Sequence, residues 1–185
     1  MLRIIAGKYR SLKLEQPPLK ITRCTTDRIR EAIFSSLGQR VVNSVVLDGF
    51  AGSGALAFEA LSRGATQAIC IEQNLQAFKI IQQNQMRLKV SNLQILQTEI
   101  LHYLQFSLPI AFDLIFLDPP FAINVNDLKI ILKTIKAKNW LKKDGLIVLE
   151  TVNDKVVLYE EDYRLFKQKR YGRSLIWFLE LKSED

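Results

Sequence analysis

Two short stretches combine residue types that can do chemistry: "LDGFAGSGALAFEA" at 47–60 and "FLDPPF" at 116–121. In the first, Gly49, Gly52 and Gly54 crowd a turn between an apolar run and a helical one. Glycines accept positive φ and let a backbone approach a ligand closely. Gly52-x-Gly54-x-x-Ala57 fits the dinucleotide fingerprint, and Glu72 follows at 72 − 52 = 20 residues, where an acid can hold a ribose diol. The pattern points to a nucleoside cofactor. Asp48, just ahead of the glycines, is poor company for a pyrophosphate because like charges repel. It suits a cofactor with a cationic end. S-adenosylmethionine, with a sulfonium, an ammonium and no phosphate, meets that requirement. Asp48, Phe50, Gly52, Ser53 and Gly54 are therefore expected around its aminoacyl end and Glu72 at its ribose. Glu99, just after the third apolar run, either meets the adenine amine or is an ordinary first-turn helix acid.

The second stretch ends an apolar run with a carboxylate, two prolines and an aromatic ring. Prolines break strands, since they fix φ and donate no backbone hydrogen bond. They also leave rigidly aimed carbonyl oxygens. Beside a methyl donor, Asp118, Pro119, Pro120 and Phe121 suit a planar base with an exocyclic amine. Asp118 and the Pro119 carbonyl can accept the amine hydrogens, and Phe121 can stack on the base, an interaction worth about 1–3 kcal/mol. A base inside a helix cannot reach such a pocket, so the target is unpaired or flipped out.

These corners must be held by a scaffold. Short apolar runs at 44–48, 68–72, 93–97, 112–118 and 145–150 alternate with helical segments near 54–63, 74–89, 99–106 and 126–138. That alternation predicts a Rossmann-like α/β fold: a mostly parallel sheet with helices on both faces. "YRLFKQKRYGR" and "SLIWFLELK" predict a C-terminal antiparallel hairpin, with Trp140 and Trp177 in the core. Ahead of this core, residues 1–40 read as a small β-hairpin followed by an amphipathic helix with apolar positions 29, 33 and 37. In such sheets ligands bind at the strand carboxyl ends, near the switch in strand order. The first and fourth strands are expected to flank that switch and to bring the glycine turn and Asp118 together. The predicted organisation is a basic extension over 1–40 packed on a core over 41–185.

The 185 residues carry a net charge of +7, and residues 1–40 hold nine Lys/Arg against three acids. A basic arm suits a phosphate backbone; it also serves as a plain solubilising surface. No apolar run approaches a membrane span, and the N-terminus is charged too early for a secretory leader, so a cytoplasmic protein is expected. Cys24 and Cys70 lack metal-ligand spacing, and the lone His102 gives a Ser–His triad little material. No metal is expected. Arg30, beside Glu31, reads as one half of a surface salt bridge.

The chain resembles the bacterial 16S ribosomal RNA guanine-N2 methyltransferase family of type D over nearly its whole length. "RIIAGKYR" with "LKL", "TTDRIREAIFSSL", "LDGFAGSGALAFEALSRGA", "IE" at 71–72 and "DPPF" carry the resemblance. It implies a class I S-adenosylmethionine-dependent enzyme acting on the N2 amine of a guanine, a monomer working on ribosomal RNA within an assembling small subunit. It also implies roles beside the cofactor for Thr26 and Arg28, and RNA contact by Arg3, Lys8, Arg10 and Lys13. Cys24 stands where the family commonly has proline, and "AINVND" stands where basic residues often follow the tetrapeptide. Three rivals fit parts of the pattern: a DNA adenine-N6 methyltransferase, a nicotinamide-dependent oxidoreductase and a non-catalytic RNA-binding module. Adenine offers an equivalent amine. The oxidoreductase conflicts with Asp48 and "DPPF", and the binding module leaves Asp118 without a task.

Overall fold

A computed structural model describes residues 2–18, 25–120, 122–152 and 161–182. Seven strands form one sheet: β1 (Val45–Asp48), β2 (Gln67–Ile71), β3 (Leu93–Leu96), β4 (Phe112–Leu117), β5 (Leu141–Thr151), β6 (Tyr163–Tyr171) and β7 (Ser174–Leu181). The order is β3-β2-β1-β4-β5-β7-β6. β1 to β5 run parallel, while β7 runs antiparallel to both β5 and β6. The helices are α1 (Asp27–Leu37), α2 (Ala55–Ser62), α3 (Leu75–Leu88), α4 (Ile100–Phe106) and α5 (Val125–Ala137). Among the described residues, no helix is long and apolar enough to cross a membrane.

The central strands are apolar on both faces because helices cover both. Alternate residues divide between two cores, as the two-residue period of a strand requires. Val46, Cys70, Phe116 and Val148 pack with α1, α2 and α3. Leu47, Ile71, Leu117 and Leu149 pack with α4 and α5. Trp140 and Trp177 are buried as expected, and their indole N–H groups reach the Leu104 carbonyl and the Thr151 hydroxyl.

α1 starts at Thr26, whose side chain caps the amide of Ile29. Its apolar stripe adds Phe34 to the expected positions 29, 33 and 37, and Phe34 packs on Phe116 of β4. Arg30 departs from the expected surface pairing with Glu31. It is wholly buried, and its guanidinium reaches Asp27, one turn back, and the Arg3 carbonyl.

The expected N-terminal hairpin is short: an antiparallel bridge from Arg3 to Lys13, flanked by backbone hydrogen bonds between Ile4 and Leu12, Ser11 and Ile4, and Leu14 and Leu2. The segment is also held by α2. Wholly buried Glu59 accepts from the amides of Ile5 (2.7 Å) and Ala6 (3.1 Å), and from Arg63 (2.6 Å). Gly7 takes φ +84°, and a Cβ there would stand 1.8 Å from the Ser62 carbonyl oxygen. Only glycine fits so close an approach.

Candidate active site

The register of the sheet explains which acids meet. Asp48 lies level with Cys70 of β2 and Phe116 of β4, and Phe116 lies level with Val148 of β5. Two residues further along these neighbours come Glu72, Asp118 and Glu150. All four acids stand at even positions, on the α1–α2–α3 side of the sheet, with Asp48 one pleat deeper than the others. The order β2-β1-β4-β5 puts the reversal of strand order at β1/β4. A cavity of about 710 Å³ opens there, within the size range of small-molecule sites. Gly49, Phe50 and Gly52 line it together with Asp118, Pro119 and Pro120. The glycine turn and the acid-proline corner thus share one space.

Glu72 is fixed from two sides. Its oxygens accept from the Gly52 amide (2.8 Å) and the Asn74 amide (2.7 Å), joining the glycine turn to the start of α3. Burial pushes its carboxyl up, and these backbone N–H groups oppose that. A carboxylate has about four lone-pair sites, so it keeps acceptor capacity towards the cavity. Gly54 holds φ +76° at the start of α2, where a Cβ would come within 2.9 Å of the Phe58 ring.

Asp118 is half-buried and accepts a 2.6 Å hydrogen bond from the Thr25 hydroxyl. The two prolines differ. The Pro120 carbonyl takes the Ile123 amide at 2.9 Å and closes a turn, so it is not a free acceptor. Phe121 lies outside the described residues.

Asp48 does not line the cavity. Only 1% exposed, it accepts from the Ala57 amide at 3.3 Å and acts as a remote cap for α2. Its other oxygen has no hydrogen-bond partner among the described residues. Burial pushes its carboxyl up to about 7, the Ala57 amide opposes this, and Asp118 and Glu72 add to it. A buried carboxyl with a raised pKa stabilises the fold below its ordinary range and loses that contribution as pH rises through about 7. Relative to Asp48→Asn, the cofactor-free protein should lose about 1.4 kcal/mol between pH 6 and pH 8, or a few degrees of melting temperature. Parallel melting curves for the two proteins would contradict this.

Of the other expected residues, Thr26 and Glu99 line the cavity. Glu99 occupies the cap position of α4 without making a cap bond. Ser53 and Gly54 lie behind the lining and shape the turn. Arg28 points elsewhere, with its guanidinium 6.0 Å from the Tyr171 ring centroid. Arg3, Lys8, Arg10 and Lys13 are exposed, and Arg3 lies 3.7 Å from Asp27. Thr25, Asn74, Thr98 and Glu150 also line the cavity and were not singled out from the sequence as site residues. Glu150 alone carried a signal, as a strand-end acid.

Five acids line the cavity, namely Glu72, Glu99, Asp118, Asp127 and Glu150, and no Lys or Arg does among the described residues. A phosphate-bearing dinucleotide would lack a counter-charge there, whereas a cationic cofactor fits. Apolar Phe50, Ile71, Ile100 and Leu101 offer walls for a flat ring system.

This sheet order, with its cavity at the switch point over a glycine turn, is the class I methyltransferase fold. The solved structure of the Escherichia coli protein yhhF superposes with a TM-score of 0.87 at 31% identity, covering 99% of both chains. The profile of the family described as "Conserved hypothetical protein 95" matches residues 2–180. Ribosomal RNA small subunit methyltransferase D of Haemophilus influenzae is 38% identical, covering 92% of this chain and 89% of the relative. Its counterpart in Escherichia coli K12 is 34% identical, covering 94% and 93%. The chain belongs to this family, that of the ribosomal RNA small subunit methyltransferases D.

Proposed function

We propose that the protein methylates the exocyclic N2 amine of a guanine in 16S ribosomal RNA, with S-adenosylmethionine as cofactor. The observation that carries this reading is the acid-lined cavity in which Glu72 and the glycine turn face Asp118 and Pro119. S-adenosylmethionine supplies an electrophilic methyl group on a positively charged sulfur. Glu72 holds the ribose diol, the Gly52 backbone makes room for the aminoacyl end, and Glu99 stands at the adenine end. Asp48 supports the turn from beneath and contributes negative potential to it.

Asp118 and the Pro119 carbonyl accept the two amine hydrogens, drawing density onto the nitrogen. The Thr25 hydroxyl fixes the carboxylate in the required rotamer. As the C–N bond forms, the methyl–sulfur bond breaks and its electron pair stays on the sulfur; the Asp118 carboxylate is placed to take the proton that leaves the nitrogen. Phe121 stacks on the base. Holding the reacting groups in line supplies much of the acceleration. The base enters unpaired or flipped out, and residues 1–40 form the basic extension that grips the surrounding RNA through Arg3, Lys8, Arg10 and Lys13. The protein acts as a cytoplasmic monomer on RNA in an assembling small subunit.

Nucleoside analysis after incubation with isotopically labelled S-adenosylmethionine and unmodified small-subunit RNA or particles tests this. N2-methylguanosine is the expected product. Label in N6-methyladenosine, or transfer to DNA in preference to RNA, would overturn it.

A further inference from the structure

A second basic surface lies beside the cavity, on the β6–β7 edge of the sheet. β7 is antiparallel to β5, and Leu175 pairs with Thr151. The turn at Gly172–Arg173 therefore lies at the strand end where Glu150 enters the cavity. β6, the outer edge of the sheet, and this turn carry Arg164, Lys167, Lys169, Arg170 and Arg173. No Asp or Glu occurs from 163 to 179. Arg164 is committed to Glu180 at 2.7 Å. Lys167, Lys169 and Arg173 make no ion pair with the described residues.

Register assigns the faces. Lys167 and Lys169 pair with Phe178 and Ile176, which pack on the α1 side of the sheet. Tyr171 continues that row, and Arg28 of α1 sits over its ring. The neighbours of Arg28, Thr25 and Thr26, line the cavity. A row of cations thus runs from the edge strand to the cavity mouth, against an interior lined by acids. An acid-lined pit cannot hold a polyanion, but a cationic rim can.

We propose that the β6–β7 hairpin, with Arg28, is an RNA-binding wall: Lys167, Lys169 and Arg173 hold phosphates of the strand flanking the base that enters the cavity. It adds to the RNA contacts proposed for Arg3, Lys8, Arg10 and Lys13. The proposal rests on RNA being the substrate.

The test uses the full chain with Lys167→Gln, Lys169→Gln and Arg173→Gln combined, and Arg173→Gln alone at the open turn. The control removes three charges at the opposite end of the sheet: Lys138→Gln, Lys143→Gln and Lys182→Gln. The combined variant should raise KM for unmodified small-subunit RNA about tenfold and flatten the slope of log KM against log salt by about 2, as expected for three lost phosphate contacts on a single strand. Arg173→Gln should move both in the same direction by about a third as much on a logarithmic scale. S-adenosylhomocysteine affinity should stay at the wild-type value in every variant, which reports an intact fold. A combined variant and a control with equal KM and equal salt slopes would overturn the proposal while leaving the substrate reading in place. A wild-type protein that methylates no RNA would overturn the substrate reading and the hairpin surface with it.

Discussion

Asp118→Ala should lower the rate of methyl transfer at saturating RNA and cofactor by about 10²-fold or more, with S-adenosylhomocysteine and RNA affinities nearly unchanged. The reasoning starts from position. Asp118 stands just past β4 at the switch point and shares the cavity with the glycine turn. Its carboxylate is held by the Thr25 hydroxyl at 2.6 Å, so in the proposed mechanism it meets the amine already oriented. Removing an oriented group that meets charge developing on the reacting atom costs on the order of 10²–10³ in rate, and proton acceptance adds to this if the same oxygen takes the proton. In the proposed reading Glu72, on the far side of the glycine turn, carries the cofactor, so binding should survive. Asp118→Asn keeps shape and one acceptor oxygen but loses charge, and should fall between the two. Single-turnover rates measured beside ligand affinities check this. Wild-type rates in Asp118→Ala would remove the corner from the mechanism.

Glu59→Ala should be the most damaging change outside the cavity. Glu59 is wholly buried and satisfies three donors: the amides of Ile5 and Ala6 and the Arg63 guanidinium. Truncation leaves a cation and two amides without their acceptor. Breaking a buried ion pair on one side costs about 3–5 kcal/mol, which in a chain of this size is a drop of roughly 10 °C in melting temperature. The N-terminal segment should come loose first around Ile5 and Ala6, whose amides both rest on Glu59. Hydrogen exchange at Ile5 and Ala6 faster than at the core strands would show it. An unshifted melting temperature would mean that Glu59 does not anchor the segment.

The parallel part of the sheet was legible because its central strands are buried on both faces and read as continuous apolar runs. The glycine turn, Glu72 and the Asp118 corner were legible because each ends such a run. Strand register was not, and register decides depth. Asp48 is a strand-end acid like the others, yet it lies one pleat below Glu72 and Asp118 and caps α2 instead of lining the cavity. Thr25 and Thr26 are alike in sequence. Only the start of α1 makes Thr26 the cap and turns Thr25 to Asp118. Arg30 carried no mark of burial either; its pairing with Asp27 follows from how α1 meets the Arg3 carbonyl. The Pro120 carbonyl looked free and is spent on a turn to Ile123.

A crystal structure of the protein with S-adenosylhomocysteine tests the central claim most directly. The account predicts the ribose hydroxyls on the Glu72 carboxylate and the sulfur facing the Asp118–Pro119 corner across open space wide enough for a base. Ligand bound elsewhere, or seated on Glu72 with its sulfur turned away from Asp118, would contradict it.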